Sequence, residues 1–102
     1  MRVLVVGTPQ FPIPPEQLSA MAEAGIAWYQ RYQEQLETFG NFPGGGGFGL
    51  VNVDDAETLN QMLLENPFVP FIRIEVRPVI PGETAFRQLR DAAAARCHGP
   101  SQ

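Results

Sequence analysis

The sequence predicts an α+β protein in which two helices cover one face of a four-stranded antiparallel sheet and a further helix follows at the C-terminus. Three observations lead to this fold class. The chain has 102 residues, the size of one domain, and its hydrophobic content of 44% is enough for a single core. Segments with the two-residue period of strands and segments with the 3.6-residue period of helices follow the order β-α-β-β-α-β. Prolines and glycines separate these segments, as they do at the ends of helices and strands.

The first half of the chain begins with a strand and a long helix. Residues Arg2 to Gly7 read RVLVVG, a β-branched run closed by glycine, which is typical of a strand buried on at least one face. After the loop TPQFPIPP a helix is expected from about Pro15 to Glu37, with a proline in its first turn. Trp28 is expected at the edge of the buried stripe of this helix. The stripe itself consists of residues spaced three or four apart: Leu18, Met21, Ala22, Gly25, Tyr29, Tyr32 and Leu36.

The middle of the chain, Phe42 to Asp55, reads FPGGGGFGLVNVDD, and Gly44, Gly46 and Gly49 have the G-x-G-x-x-G spacing of nucleotide-binding loops. In those loops a strand enters and a helix leaves, so that free N–H groups and the helix dipole face a phosphate. Here an extended segment, ETFGNF, precedes the glycines and the strand FGLVNV follows them. We therefore predict a hairpin turn and no nucleotide site. Glycines at the start of a strand also leave room for a ligand or a neighbouring group.

The second half predicts a helix, a strand and a terminal helix. Asp54 and Glu57 have capping-box spacing, which marks the start of the helix, and Asn66 followed by proline ends it. The strand is expected over Pro70 to Ile80, PFIRIEVRPVI, and the terminal helix over ETAFRQLRDAAAAR, followed by a loose tail, HGPSQ.

The complete order of elements is that of the ferredoxin-like βαββαβ fold with an added C-terminal helix. We expect residues 1–82 to form the ferredoxin-like domain and residues 83–102 to form the C-terminal helix and a flexible tail.

Composition excludes several classes of function. The net charge of −4 argues against nucleic acid as a partner, because phosphate binding needs a basic surface. Cys97 and His98 are the only cysteine and histidine, so neither an internal disulfide nor a Cys/His metal cluster is expected. The apolar run Val3 to Val6 is too short for a signal peptide or a membrane span. We expect a cytoplasmic protein without membrane or metal partners.

The face of the sheet without helices is the predicted location of the chemistry. On the last strand, Ile72, Ile74 and Val76 suit the helix side, so the residues between them belong to the open side. The residues expected on the open side are Phe48, Leu50, Asn52, Phe71, Arg73, Glu75 and Arg77. This set is too apolar for a bare surface and fits a face that packs against the sheet of a second subunit.

Glu75 is the candidate acid/base on this face. A carboxylate enclosed beside apolar groups can exchange protons near neutrality, and Arg73 can stabilise an enolate or hold a substrate carboxylate. An ordinary ion pair of Glu75 with Arg73, with Arg77 or with the partner chain is the alternative. The candidate substrate-binding residues are Asn52, Tyr32, Phe48, Phe71 and Arg77.

The segment GGGGFGLVNVDDAETLNQMLLENPFVPFIRIEV, residues 44–76, resembles the muconolactone δ-isomerase family. Residues 67–71, PFVPF, and residues 74–76, IEV, carry the resemblance most specifically. The resemblance implies a dimeric α+β barrel, with a larger ring of dimers as a further option. It also implies a cofactor-free allylic proton shift on a small unsaturated lactone acid. Glu75 matches the glutamate of the family's Ile-Glu-Val strand, whereas Arg73 stands where these isomerases often carry an acidic residue.

Three hypotheses about function remain open at this point. The first is the isomerase with Glu75 as acid/base. The second is a cofactor-independent monooxygenase or cyclase of the same barrel class, which acts on an aromatic compound. The aromatic residues that favour this second hypothesis are Trp28, Tyr29, Tyr32, Phe48 and Phe71. The third is a non-catalytic dimeric protein that binds a small molecule.

Overall fold

The computed structural model describes residues 1–97, so the predicted tail with His98 lies outside the described residues. In this part of the chain the order of elements is β1-α1-β2-β3-α2-β4-α3. The bounds are β1 Arg2–Pro9, α1 Leu18–Tyr32, β2 Leu36–Asn41, β3 Gly47–Asn52, α2 Ala56–Leu64, β4 Ile72–Pro78 and α3 Gly82–Cys97. No helix among residues 1–97 combines the length and the apolar character needed to cross a bilayer.

The four strands form one antiparallel sheet in the order β2-β3-β1-β4. Val5 of β1 pairs with Gly49 of β3 and with Val76 of β4, whereas Val6 pairs with Phe48 and with Glu75. Directly paired residues share a face of the sheet, so these two rows lie on opposite faces. The predicted ferredoxin-like α+β fold, with its antiparallel four-stranded sheet and its C-terminal helix, is confirmed.

The core lies between the sheet and the first two helices. Its buried hydrophobic residues are Val3, Val5, Trp28, Val51, Val53, Leu59 and Met62. Trp28 connects the layers, because its indole Nε1 donates a buried 2.8 Å hydrogen bond to the carbonyl of Met62 in α2. The Trp28 ring also lies 5.9 Å from the ring of Phe39 in β2. One side chain of α1 therefore contacts both the second helix and the sheet.

The long helix is shorter than predicted. A 3-10 turn spans Pro15–Gln17, α1 ends at Tyr32, and β2 begins at Leu36, inside the range expected to be helical. The backbone of residues 36–41 forms hydrogen bonds with β3. If α1 continued through Glu37, the first of these sheet hydrogen bonds would be lost. The predicted edge position of Trp28 was also wrong, since Trp28 is buried while Leu18 is exposed.

Two further sequence predictions were wrong by one or two positions. The N-cap of α2 is Asp55 and not Asp54: the Asp55 carboxylate accepts a 2.8 Å hydrogen bond from the Thr58 N–H. This hydrogen bond from Thr58 lowers the pKa of Asp55. Phe71 was expected on the open face, but it belongs to a 3-10 turn, Val69–Phe71, and the strand alternation starts only after it.

The glycine run forms the hairpin turn that the sequence predicts. Gly44, Gly45 and Gly46 have φ values of 87°, 131° and 82° between β2 and β3. L-residues with a side chain rarely adopt this conformation, so glycine is required by the backbone. A strand follows the run, and the geometry of a phosphate-binding loop is absent from this part of the structure.

Alanine at Gly46 is expected to destabilise the protein by more than about 2 kcal/mol, because strain and a clash act together. A Cβ at Gly46 would lie 2.6 Å from the carbonyl oxygen of Gly7, whereas a Cβ at Gly44 would meet nothing within 4 Å. Gly44→Ala is the matched control and should cost about 1 kcal/mol from φ alone. Urea unfolding measures both values. Equal losses for the two variants would contradict the close approach at Gly46.

Candidate ligand cleft and open sheet face

A cleft of about 1070 Å³ lies on the helix side of the sheet. Its floor is the sheet itself, where Val5, Gly49, Val51 and Ile74 line it. Its walls are α1, the loop between β1 and α1, the glycine turn and the segment after α2. This volume is in the range of sites that bind small molecules.

Glycines make the cleft deep. Gly7, Gly47 and Gly49 line it, and none of them places a side chain over the sheet. Neighbouring atoms leave no space for a side chain at the first two of these glycines. A Cβ at Gly7 would lie 2.9 Å from Cδ1 of Ile72, and a Cβ at Gly47 would lie 2.7 Å from the carbonyl oxygen of Gly40. The close approach of a neighbouring group that the sequence predicts at the start of β3 is present at Gly47.

Aromatic side chains dominate the walls. The ring of Phe39 lies 5.9 Å from that of Trp28 and 5.5 Å from that of Tyr29, in tilted arrangements. Gly25 in α1 lets the ring of Phe68 approach, since a Cβ there would lie 3.0 Å from the Phe68 Cε2. The aromatic residues bordering the cleft are Phe11, Trp28, Tyr29, Phe39, Phe48, Phe68 and Phe71.

The residues that line the cleft carry no formal charge within the described part of the chain. Their polar members are Tyr29, Gln30, Gln33, Asn41 and Asn66. Phe11, Leu18 and Ile26 form the cleft mouth, which is apolar and exposed to solvent. Their exposed fractions are 58%, 50% and 53%, respectively. A single copy of the chain therefore leaves large apolar side chains in water at the entrance.

The open face is a separate surface on the other side of the sheet. Leu4 and Val6 of β1 are half-buried there, each between a residue of β3 and a residue of β4. The Glu75 carboxylate, next to Val6, lies 3.8 Å from the Arg73 guanidinium and 3.5 Å from that of Arg77. The side chain of Glu75 is 45% exposed in one copy of the chain.

The structure divides the predicted site residues between these two surfaces. Arg73, Glu75 and Arg77 lie together on the open face, as the strand alternation predicts. Phe48 belongs to the open face through its pairing with Val6 and also borders the cleft, and Phe71 borders the cleft.

Asn52 and Tyr32 lie away from Glu75 and from the cleft. Asn52 pairs with Arg2 and so belongs to the open face, as predicted, but it is exposed at the end of β3, where it borders a smaller pocket of about 310 Å³. Tyr32 packs against the core at the end of α1, with its ring 5.7 Å from that of Trp28. The pKa of Tyr32 is raised, chiefly by its hydrogen bond to Glu65 at the C-terminal end of α2.

Glu65 is the centre of a polar cluster that ties α1 to α2. Its carboxylate accepts hydrogen bonds from Gln61 and from Arg31, the latter at 2.6 Å. Hydrogen bonds from Gln61, Tyr32 and Arg31 lower the pKa of Glu65 to about 2. The same pairing raises the pKa of Arg31.

Glu65 is expected to make the stability of the protein depend on acid pH. Its pKa is lower in the folded chain than in the unfolded chain, so its contribution is complete above about pH 4.5 and is lost as the pH falls towards 2. Glu65→Gln should therefore lower the free energy of unfolding at neutral pH and approach the wild-type value at low pH. Urea unfolding at a series of pH values measures this difference, with Glu34→Gln as the control. A Glu65→Gln deficit that stays constant down to pH 2 would contradict the assignment.

The depth of the cleft did not follow from the sequence. Leu18 and Tyr29 belong to the predicted buried stripe of α1, yet they border an open space. The run of glycines was the available signal, because it removes side chains from one end of the sheet.

The strand order, the two covering helices and the free sheet face define a ferredoxin-like α+β fold. More specifically, residues 13–93 match the family described as "Domain of unknown function (DUF3303)", and the chain belongs to that family. A comparison with curated protein sequences gives no match.

Two solved structures show the same fold. Muconolactone isomerase has a TM-score of 0.69 and 21% identity, over 79% of this chain and 90% of that chain. The 5-chloro-2-hydroxyhydroquinone dehydrochlorinase of Burkholderia phenoliruptrix, solved with 2,5-dihydroxybenzoquinone, has a TM-score of 0.66 and 14% identity, over 82% and 98% of the two chains. At these identities the similarity establishes the fold, which agrees with the resemblance noted in the sequence.

Proposed function

We propose that this protein binds a flat, uncharged ring compound in the cleft between α1 and the sheet. The main support for this proposal is the lining of the cleft, which has aromatic walls, glycines in its floor and no charged side chain among the described residues. Aromatic rings recognise flat ring compounds through offset and edge-to-face contacts. The cleft is also large enough for two or three fused rings.

The absence of charge among the described lining residues supports an uncharged ligand. A carboxylate moved from water into an apolar site without a cation pays a large desolvation cost. Arg73 and Arg77, which could hold a carboxylate, lie on the opposite face of the sheet. Neutral groups such as Tyr29 and Asn41 suit hydroxyl and carbonyl substituents. An aromatic phenol or ketone fits this cleft better than a lactone acid.

The structural relatives support a small ring compound as ligand. The names of the two relatives refer to a lactone and to a hydroquinone, and the structure of the second contains a benzoquinone. Among the enzyme hypotheses, the aromatic lining favours the cofactor-independent monooxygenase or cyclase. Four of the five aromatic residues that pointed to that hypothesis border the cleft: Trp28, Tyr29, Phe48 and Phe71.

Calorimetric titration with 2-naphthol and with 2-naphthoate tests the proposed ligand class. The two compounds share a ring system, and only the second is charged at neutral pH. Micromolar binding of the naphthol, with binding of the naphthoate weaker by at least about tenfold, is the expected result. Equal affinities, or a preference for the carboxylate, would contradict an uncharged ligand.

The isomerase remains a second candidate, favoured by the arrangement of Glu75 between Arg73 and Arg77 beside the apolar Val6. In this proposal two copies pair through their open faces as a homodimer, and the partner sheet encloses the carboxylate. Glu75 would move the proton, Arg73 would stabilise the developing enolate, and Arg77 would hold the substrate carboxylate. No cofactor is needed for such a proton shift.

Glu75→Gln distinguishes catalysis from ion pairing. If Glu75 is the acid/base, the variant should lose turnover of an unsaturated lactone acid by about 10²-fold or more, with dimer and melting temperature unchanged. Proton exchange at the carbon next to the lactone carbonyl, followed by NMR in deuterated water, measures this activity. Full exchange by the variant would exclude the acid/base role, and a dissociated dimer would assign Glu75 to the interface.

A further inference from the structure

We infer that α3 crosses to a second copy of the chain, where its apolar stripe closes the mouth of that copy's cleft. The identity of the enclosed ring compound rests on the proposed function. The docking itself depends only on the helix and on the cleft mouth.

Among residues 1–97, no other helix or strand covers the apolar residues of α3. None of its residues up to Arg96 is buried, and the exposed fractions are 74% for Phe86 and 65% for Leu89. The radius of gyration is 18.7 Å, against about 13 Å for a compact domain of this length. The largest dimension of the chain is 68 Å, so α3 extends away from the body as an arm.

The apolar residues of the arm form one stripe. Phe86, Leu89 and Ala93 follow the three-and-four spacing that places them on a single helix face. An isolated helix of 16 residues is only marginally stable in water. Its stability in the protein therefore requires a surface that covers this stripe.

The exit point of the arm directs it away from its own cleft mouth, and none of the residues of α3 borders the cleft. Pro78 pairs with Val3, and the N–H of Val79 donates a 3.0 Å hydrogen bond to the carbonyl of Arg2. The arm thus leaves the sheet at the end opposite to the glycine turn, which lies beside Gly7 and Pro9. A neighbouring copy meets no such restriction.

The cleft mouth has the complementary character. Phe11, Leu18 and Ile26 expose half or more of their area there, and a helix that lays an apolar stripe in an apolar groove is a common mode of recognition. Charge also favours the contact. The arm carries three arginines against two acidic residues, whereas the rest of the chain carries four arginines against nine.

The exposed area is sufficient for a stable assembly. The chain exposes 7455 Å², against about 5,700 Å² for a compact monomer of 11.2 kDa. The excess is comparable to the total area buried in a standard protein–protein interface, about 1,600 Å². Closure by the arm would also remove the entrance of the cleft from water.

Cysteine cross-linking tests the position of the arm. In a Cys97→Ser background, a chain with Phe86→Cys is refolded together with a mass-tagged chain that carries Ile26→Cys at the cleft mouth, and the mixture is oxidised mildly. We expect a disulfide-linked heterodimer. The matched control carries Asn60→Cys, an exposed position on α2, and a third chain carries Thr38→Cys on the open face. Cross-linking to position 38 or 60 in preference to 26 would overturn the inference, as would a monomer in sedimentation velocity.

A second variant measures the effect of the arm on the cleft. Phe86→Asp with Leu89→Asp should weaken binding of 2-naphthol by about tenfold, because the cleft mouth stays open to water. Unchanged affinity would overturn the role of the arm in closure. Failure of the wild-type protein to bind the naphthol would reject the proposed ligand class, while the cross-link to position 26 would still report where the arm lies.

Discussion

Trp28→Ala is expected to destabilise the protein by about 3–5 kcal/mol, a large part of the total stability of a small domain. Trp28 is 8% exposed and lies in the core between α1, α2 and the sheet. Its removal leaves a cavity beside Phe39 and deprives the Met62 carbonyl of its buried hydrogen bond. Urea unfolding followed by circular dichroism measures the loss.

Two control variants separate the causes of this loss. Trp28→Phe keeps an aromatic ring but removes the indole N–H, so it should cost about 1–3 kcal/mol from the unpaired carbonyl of Met62. Tyr29→Ala, at the next position of α1, removes a ring that is 39% exposed and should cost less than Trp28→Ala. A loss from Trp28→Ala no greater than that from Tyr29→Ala would show that Trp28 does not connect the layers.

Val6→Asp is expected to raise the dissociation constant of the proposed open-face dimer by at least about a hundredfold. Val6 lies at the centre of the open face, between Phe48 and Glu75. A carboxylate there would be buried against the partner sheet and beside an existing carboxylate, which costs several kcal/mol. Sedimentation equilibrium measures the change.

Asn60→Asp is the charge control for this prediction, because it adds the same negative charge on an exposed position of α2. It should leave association unchanged. Dimers of the Val6→Asp variant as tight as those of the wild type would show that the open face is not the interface. Association would then rest on the contact between the α3 arm and the cleft mouth.

The fold could be predicted from the sequence because each element carries a local signal. The β-branched run of β1, the glycine turn and the alternation of β4 are properties of neighbouring residues, and the observed sheet has the order that they imply. The end of α1 was misplaced because the pairing of Leu36 with Val51 is a contact between distant residues. The pattern of neighbouring residues does not show that residues 36 and 37 gain more from pairing with β3 than from extending α1.

The open-face residues could be predicted for the same reason, since alternation alone assigns Arg73, Glu75 and Arg77 to one side of β4. The cleft could not. A helix stripe that includes Leu18 and Tyr29 looks the same in the sequence whether it faces a packed core or an open space. The space exists because Gly7 and Gly49, far apart in sequence, lie under α1 once the sheet has formed.

The most direct test of the ligand cleft is a map of backbone and indole NMR shifts during titration with 2-naphthol. If the cleft binds this ligand, the signals of the Trp28 indole and of the amides of Gly47, Gly49 and Ile72 should shift, because these residues line the cleft. Amides of the open face, such as that of Leu4, should remain in place. Shifts confined to the open face, or no saturable shift at all, would contradict binding in the cleft.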